Sequence, residues 1–341
     1  MNHNHPVDPV IAPFDSLDRQ VVQALMIDGR VPFSRLAEVL GVSDQTVTRR
    51  YRRLRGEGLL RVIGLPLGLR VGLYQSQVRV NCVPGTAGAI AEALARRPDI
   101  AWVTINAGGA EVSCMTRSRS RRERDSLLLD KLPGTRQVTG VSARTILHMW
   151  TGGPGGWRGL DELDDDQILA LRRPTDFGTM GGFELDPADR AMLNVLERDG
   201  RATYPELAAA TGKSESTVRR RLDHLTEEGV VFFDVEVLPI HLGFNVEALM
   251  SAAVAPSDLE AVGSTVGSHP EVPFAAATTG ATSLLAVVVC RDIEGLYQYV
   301  TMRLGAIKEV AQLEITPALR TVKRAGLMTD GVRLFDPPAV A

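Results

Sequence analysis

Residues 41–60 read GVSDQTVTRRYRRLRGEGLL, and residues 212–231 read GKSESTVRRRLDHLTEEGVV. Each opens on a glycine, follows it with a serine suited to capping a helix, and then sets Thr-Val, Arg-Arg and Leu at matching offsets. Upstream of Gly41 two further helical patterns can be read. Asp15 or Ser16 caps a helix from Leu17 to about Ile27, with Val21, Val22 and Leu25 inward; Ser34 caps a second, with Leu36, Val39 and Leu40 inward. After the Gly41 turn, Ser43 caps a third whose core stripe is Val47, Tyr51 and Leu54. Helix, helix, glycine turn, helix is the helix-turn-helix order, in which the last helix enters the major groove by its N-terminal end.

That reading selects side chains. Ser43, Asp44, Gln45, Thr46, Thr48, Arg49, Arg50 and Arg53 are the expected DNA-facing residues of the first copy. Ser214, Glu215, Ser216, Thr217, Arg219, Arg220 and Arg221 are those of the second. Hydroxyls and amides bond base edges, arginines take guanine or phosphate, and a capped helix N-terminus favours an adjacent phosphate. From Val42 to Arg61, six arginines stand against Asp44 and Glu57, a net +4; from Lys213 to Phe232 the charges cancel. The chain as a whole carries −3, so any basic surface is local.

The same correspondence runs through the chain. A shift of 171 brings Asp28-Gly29-Arg30 onto Asp199-Gly200-Arg201, Asp18 onto Asp189 and Leu36-Ala37 onto Leu207-Ala208. One further residue in the second copy aligns Pro84 with Pro256, Gly108 with Gly280 and Leu132 with Leu304. Behind each helical unit the pattern alternates strand, helix, strand, strand, helix, strand. In the first copy these are 74–82, 86–97, 100–106, 111–116, 126–132 and 138–146; in the second, 246–254, 259–268, 272–278, 284–290, 293–304 and 310–316. This is the ferredoxin-like βαββαβ order.

The expected fold is therefore α+β: two winged helix-turn-helix domains, each followed by a ferredoxin-like domain. The expected boundaries are a disordered tail over 1–13, helix-turn-helix domains over 14–63 and 184–235, ferredoxin-like domains over 64–150 and 236–326, a linker with a short helix over 151–183, and a tail over 327–341.

At 341 residues the chain has room for two to four domains, and no apolar run reaches the roughly 18 residues that suggest a membrane span. The start, MNHNHPVDP, lacks the layout of a signal peptide, which points to a cytoplasmic protein with no membrane partner. Cys82, Cys114 and Cys290 are too scattered for metal-ligand pairs and read as buried free thiols. His148 and His224 read as surface or packing residues. No metal, cofactor or catalytic constellation is expected.

The chain resembles the Lrp/AsnC family of transcriptional regulators, as a tandem fusion. The resemblance rests on Leu17-Asp18-Arg19, Asp28-Gly29-Arg30, Leu36-Ala37, Gly41, Ser43, Thr46-Val47, Arg49-Arg50, Leu54, Glu57-Gly58, Gly72 and Gly108, with their second-copy partners. It implies double-stranded DNA as partner, sheet-to-sheet pairing, a homo-oligomer, and small effectors, typically amino acids. The family's effector loop usually reads Gly-x-x-Asp. Here it is Gly108-Gly109-Ala110-Glu111 in the first copy and Gly280-Ala281-Thr282-Ser283 in the second. The resemblance thus makes Gly108, Gly109, Glu111, Gly280 and Ser283 the effector candidates, with Glu111 the sole acid able to meet an ammonium. The alternative is a siroheme-decarboxylase-like enzyme of the same tandem architecture, for which His241 is the suggestive histidine.

Overall fold

The computed structural model describes residues 14–153, 157, 159–172 and 182–337. The first helical head is α1 (Ser16–Ile27), α2 (Phe33–Leu40) and α3 (Asp44–Gly56), followed by β1 (Leu60–Pro66). Asp15 caps α1 in a reciprocal box with Asp18, while α2 begins at Phe33 behind Pro32, so Ser34 is not its cap. Gly41 ends α2 at φ 65°, a left-handed conformation that costs glycine least.

The first ferredoxin-like unit comprises β2 (Tyr74–Cys82), α4 (Ala87–Ala95), β3 (Ile100–Asn106), β4 (Glu111–Ser118), α5 (Arg121–Asp125, continued by wider turns through Lys131) and β5 (Val138–Thr151). A connecting helix, α6 (Asp165–Leu171), leads to the second head: α7 (Pro187–Leu196), α8 (Tyr204–Thr211), α9 (Glu215–Glu227) and β6 (Val231–Val237). The second unit is β7 (Val246–Val254), α10 (Leu259–Gly267), β8 (Phe274–Thr278), β9 (Leu284–Cys290), α11 (Ile293–Gln298) and β10 (Val310–Arg324), with β11 (Leu327–Thr329) and β12 (Leu334–Phe335) behind it.

The halves interlock in two places. β1 and β6 pair antiparallel from Leu60↔Val237 to Pro66↔Val231, joining the two heads. The sheets join through their long strands. β5 pairs with β2 up to Thr145 and from Ile146 onward with β8; β10 pairs with β7 up to Pro317 and from Ala318 onward with β3. The sheets thus pair within one chain. Their helix-covered outer faces hold the two main sheet cores, and their inner faces meet through Met115, Ile146, Leu249, Phe274 and Leu285.

Three boundaries expected from the sequence are corrected. The divisions at 63/64 and 235/236 fall inside β1 and β6, because those strands end at Pro66 and Val237. The stretch from 327 is not simply a tail: β11 pairs with β10, Leu327 and Leu334 are buried beside Ile63 and Leu65, and Leu334 N donates to Gly58 O at 2.7 Å. The connecting segment is docked rather than loose. Leu160, Leu163 and Leu171 join the first head's core, and Gln23 bonds the backbone at Leu160, Glu162 and Leu163. The expected tail over 1–13 and part of the Gly-rich connector lie outside the described residues.

Candidate nucleic-acid interface

Both third helices start as their sequences require. Ser43 accepts from Thr46 N at 3.1 Å, and Ser214 from Thr217 N at 3.3 Å. Each serine hydroxyl also lies 2.8 Å from the threonine hydroxyl, so Thr46 and Thr217 are partly engaged in the cap. Asp44, Gln45 and Arg49 are exposed around the first helix start, with Thr48 half-buried and 3.4 Å from Asp44. Around the second, Glu215, Ser216, Arg219 and Arg220 are exposed, and Arg219 lies 4.5 Å over the Tyr204 ring.

The structure separates the paired arginines by role. Arg49 and Arg220 point outward, whereas Arg50 and Arg221 turn back to the first helix of their own head. Arg221 forks onto Asp189 at 2.8 and 2.7 Å. Arg50 reaches Asp15 and Asp18, and Arg53 adds a 2.6 Å contact to Asp18. Asp18 and Asp189 are 2% and 1% exposed, and carboxylates that deep need a cation. Arg50, Arg53 and Arg221, expected to face DNA, thus also tie the third helix of each head to its first. The signal was present in the sequence, since Asp18/Arg50 and Asp189/Arg221 recur at one spacing. The outward face also includes exposed Arg52, which the sequence reading left out.

The heads meet around their repeated Asp-Gly-Arg turns. Arg30 donates to Gly200 O (2.7 Å) and Ala202 O (3.1 Å), and Arg201 to Gly29 O (2.7 Å) and Val31 O (2.9 Å). Each guanidinium also lies over a ring of the opposite head, Tyr204 for Arg30 and Phe33 for Arg201. Arg55 crosses to Asp199. The repeated triplet is therefore a joint between heads.

The effector loops are tight turns, with Gly108, Gly109 and Gly280 at φ 63°, 87° and 109°. Their expected ligand groups are already engaged. Glu111 is buried and paired with Arg79 at 2.7 Å, and Ser113 donates to it. Arg79 also forks onto Glu314, and both carboxylates raise its pKa. Ser283 donates to Val254 O and accepts from Val254 N. An ammonium at Glu111, the acid expected to receive it, would have to compete with Arg79. The sequence does not show which strand supplies the counter-ion.

Remaining candidates are structural in placement. Cys82, Cys114 and Cys290 are buried free thiols, and burial pushes Cys114 up to about 12. His148 stands edge-on to Trp150. His241 stacks on Phe14 and bonds Val332 O at 2.7 Å. Among the described residues no helix is long and apolar enough to cross a membrane.

Comparison with known proteins places these features. The family model for the AsnC-type helix-turn-helix domain matches residues 14–55, a winged helix-turn-helix DNA-binding model matches 185–231, and the Lrp/AsnC ligand binding domain matches 247–328. An uncharacterised HTH-type transcriptional regulator of Pyrococcus horikoshii is 31% identical over 144 residues, 42% of this chain and 90% of the relative. The regulatory protein AsnC of Escherichia coli is 30% identical over 155 residues, 42% of this chain and 99% of its own length. The crystal structure of the siroheme decarboxylase NirDL superposes with a TM-score of 0.60 over 90% of this chain and 93% of that one, at 12% identity, a likeness of fold alone.

Proposed function

Because the chain belongs to the Lrp/AsnC family of DNA-binding transcriptional regulators, we propose that a single chain works as a built-in pair, offering both heads to one DNA site. The observation that carries this reading is the joint between heads, β1 against β6 with Arg30 and Arg201 crossing reciprocally. It fixes two recognition helices in one rigid unit, as two chains do in a symmetric dimer. Ser43-Asp44-Gln45-Thr46 and Ser214-Glu215-Ser216-Thr217 differ, so the preferred site has unlike halves about one helical turn or a multiple apart. Arg49, Arg52 and Arg220 supply phosphate contacts, and the first head dominates because its helix carries the net positive charge.

Genome-wide binding-site mapping followed by footprinting tests this. The expected result is an unequal pair of half-sites whose affinity falls steeply with salt, as phosphate neutralisation releases counterions. Protection of one perfectly symmetric short site by one chain would overturn the unlike-halves reading. No sequence preference at any salt would overturn specific recognition.

The chain acts by binding rather than by catalysis. Its relatives at 30% identity are regulators, and His241 is spent on Val332 O and the Phe14 ring. A haem-like absorption band in the purified protein would favour the decarboxylase-like reading instead.

A further inference from the structure

Between the inner faces of the two sheets, under β1 and β6, lies a cavity of about 210 Å³. That exceeds the roughly 150 Å³ that suffices to admit benzene in an apolar protein interior. The first sheet gives the cavity more polar side chains than the second, although Glu247 and Arg324 of the second half also line it. Gln77, Ser113 and Arg117 of the first sheet stand where the second sheet, 172 positions on, has Leu249, Leu285 and Val289, all six lining the cavity. Two sheets that merely pack together need no such difference, and the second half shows what a packing face looks like.

The polar wall is not satisfied by the protein. Buried Gln77 Oε1 and Asn106 Oδ1 find no donor. The Arg117 guanidinium lines the cavity and makes no hydrogen bond or ion pair among the described residues. Desolvation lowers its pKa, against the attraction of Glu197, Asp234 and Glu236. None of these acids forms an ion pair with Arg117; of the two that line the cavity with it, Asp234 accepts from Val235 N, and Arg324 joins Glu236 to Glu247. Unpaired cations are rarely kept in protein interiors without a use.

We propose that this cavity is a ligand site for a small carboxylate with a flat apolar body, its carboxylate on Arg117 and its body between Trp102 and the apolar wall of Leu249 and Val287. Arginine's planar fork matches a carboxylate two bonds at a time. Phe274 and Met115 close the apolar end. The site's ligand group, Arg117, is not part of the Gly108 or Gly280 turn, and the site is argued without the DNA reading, so a test without DNA decides it whether or not that reading holds.

The test is titration calorimetry of the full chain with three probes sharing one ring system: 1-naphthylacetate, 1-naphthylacetamide and 1-naphthylmethylammonium. The acetate is expected to bind at least 10-fold more tightly than the neutral amide, with a negative heat-capacity change from apolar burial. Arg117→Gln should erase the difference between acetate and amide, and Met149→Trp, which fills the cavity, should abolish binding of both. Absence of acetate binding, tighter binding of the ammonium, or acetate binding untouched by both variants would overturn the site. The three wild-type titrations decide even if a variant does not fold.

Discussion

Arg30 and Arg201 lie 171 positions apart and bind each other's turn, each donating to two backbone carbonyls of the opposite head. The reciprocal arginine contacts follow a two-fold pattern, whereas Arg55 crosses to Asp199 in one direction only, since Thr226 stands at its repeat position. Hydrogen bonds from a charged donor contribute about 1.5–3 kcal/mol. Arg30→Ala or Arg201→Ala is expected to cost about 2–4 kcal/mol in urea unfolding. DNA affinity should fall in the same variants, although neither arginine belongs to a recognition helix. Loss of affinity with unchanged unfolding would show instead that these arginines touch DNA directly.

Arg49 and Arg50 are neighbours with different work. Arg49→Ala should weaken DNA binding and lower the slope of log K against log salt by about 0.9, one phosphate's worth, with little change in unfolding. Arg50→Ala should lower stability by about 1–3 kcal/mol, because buried Asp18 loses one of its cations. In the second head, Arg220→Ala and Arg221→Ala should divide the same way, with a smaller DNA effect for Arg220. Equal affinity losses for Arg49→Ala and Arg220→Ala would refute the dominance of the first head.

The repeat made the helix-turn-helix units and both ferredoxin-like units legible, since each is specified by local periodicity and a turn glycine. The joints were not. β5 reads as a strand to Ile146 because it pairs with its own sheet until Thr145; its continuation to Thr151 exists through pairing with β8 of the other half. Glu111 and Ser283 looked free because Arg79 and Val254, which engage them, lie on other strands. Arg50 reads as a DNA-facing residue because helical spacing places it near Arg49, and only the co-repeated Asp18 and Asp189 hint at its ion pair within the head. The polar inner wall was visible as residues but not as a wall, since that needs the facing sheet.

Glu236 gives a pH signature. Burial raises its carboxyl to about 7, against the attraction of Arg324. An acid raised in the folded state stabilises fully below its unfolded pKa, near 4.5, and that contribution is lost as pH rises through about 7. Stability of the native chain should therefore decline more from pH 5 to pH 8 than that of Glu236→Gln, whose side chain still accepts from Arg324. Asp15 and Asp189, whose pKa values are lowered, act below about pH 4 and leave this window alone. Parallel pH profiles from urea unfolding would refute the assignment.

Gly200 separates a contact requirement from a conformational one. A Cβ there would lie 2.7–2.9 Å from the Ile63 backbone, and backbone in a paired strand cannot step aside. The same approach lets Gly200 N donate to Val62 O at 2.8 Å. Gly212 differs: a Cβ there meets open space, and only its φ of 66° disfavours a side chain. Gly212→Ala should therefore cost about 1 kcal/mol, the usual penalty for the left-handed region. Gly200→Ala should cost more, because β1 must move off the α7–α8 turn and loosen its pairing with β6. Faster amide exchange along β1 and β6 in Gly200→Ala, but not in Gly212→Ala, is the expected readout. Equal costs with unchanged exchange at β1 would mean that the heads are not held together through this contact.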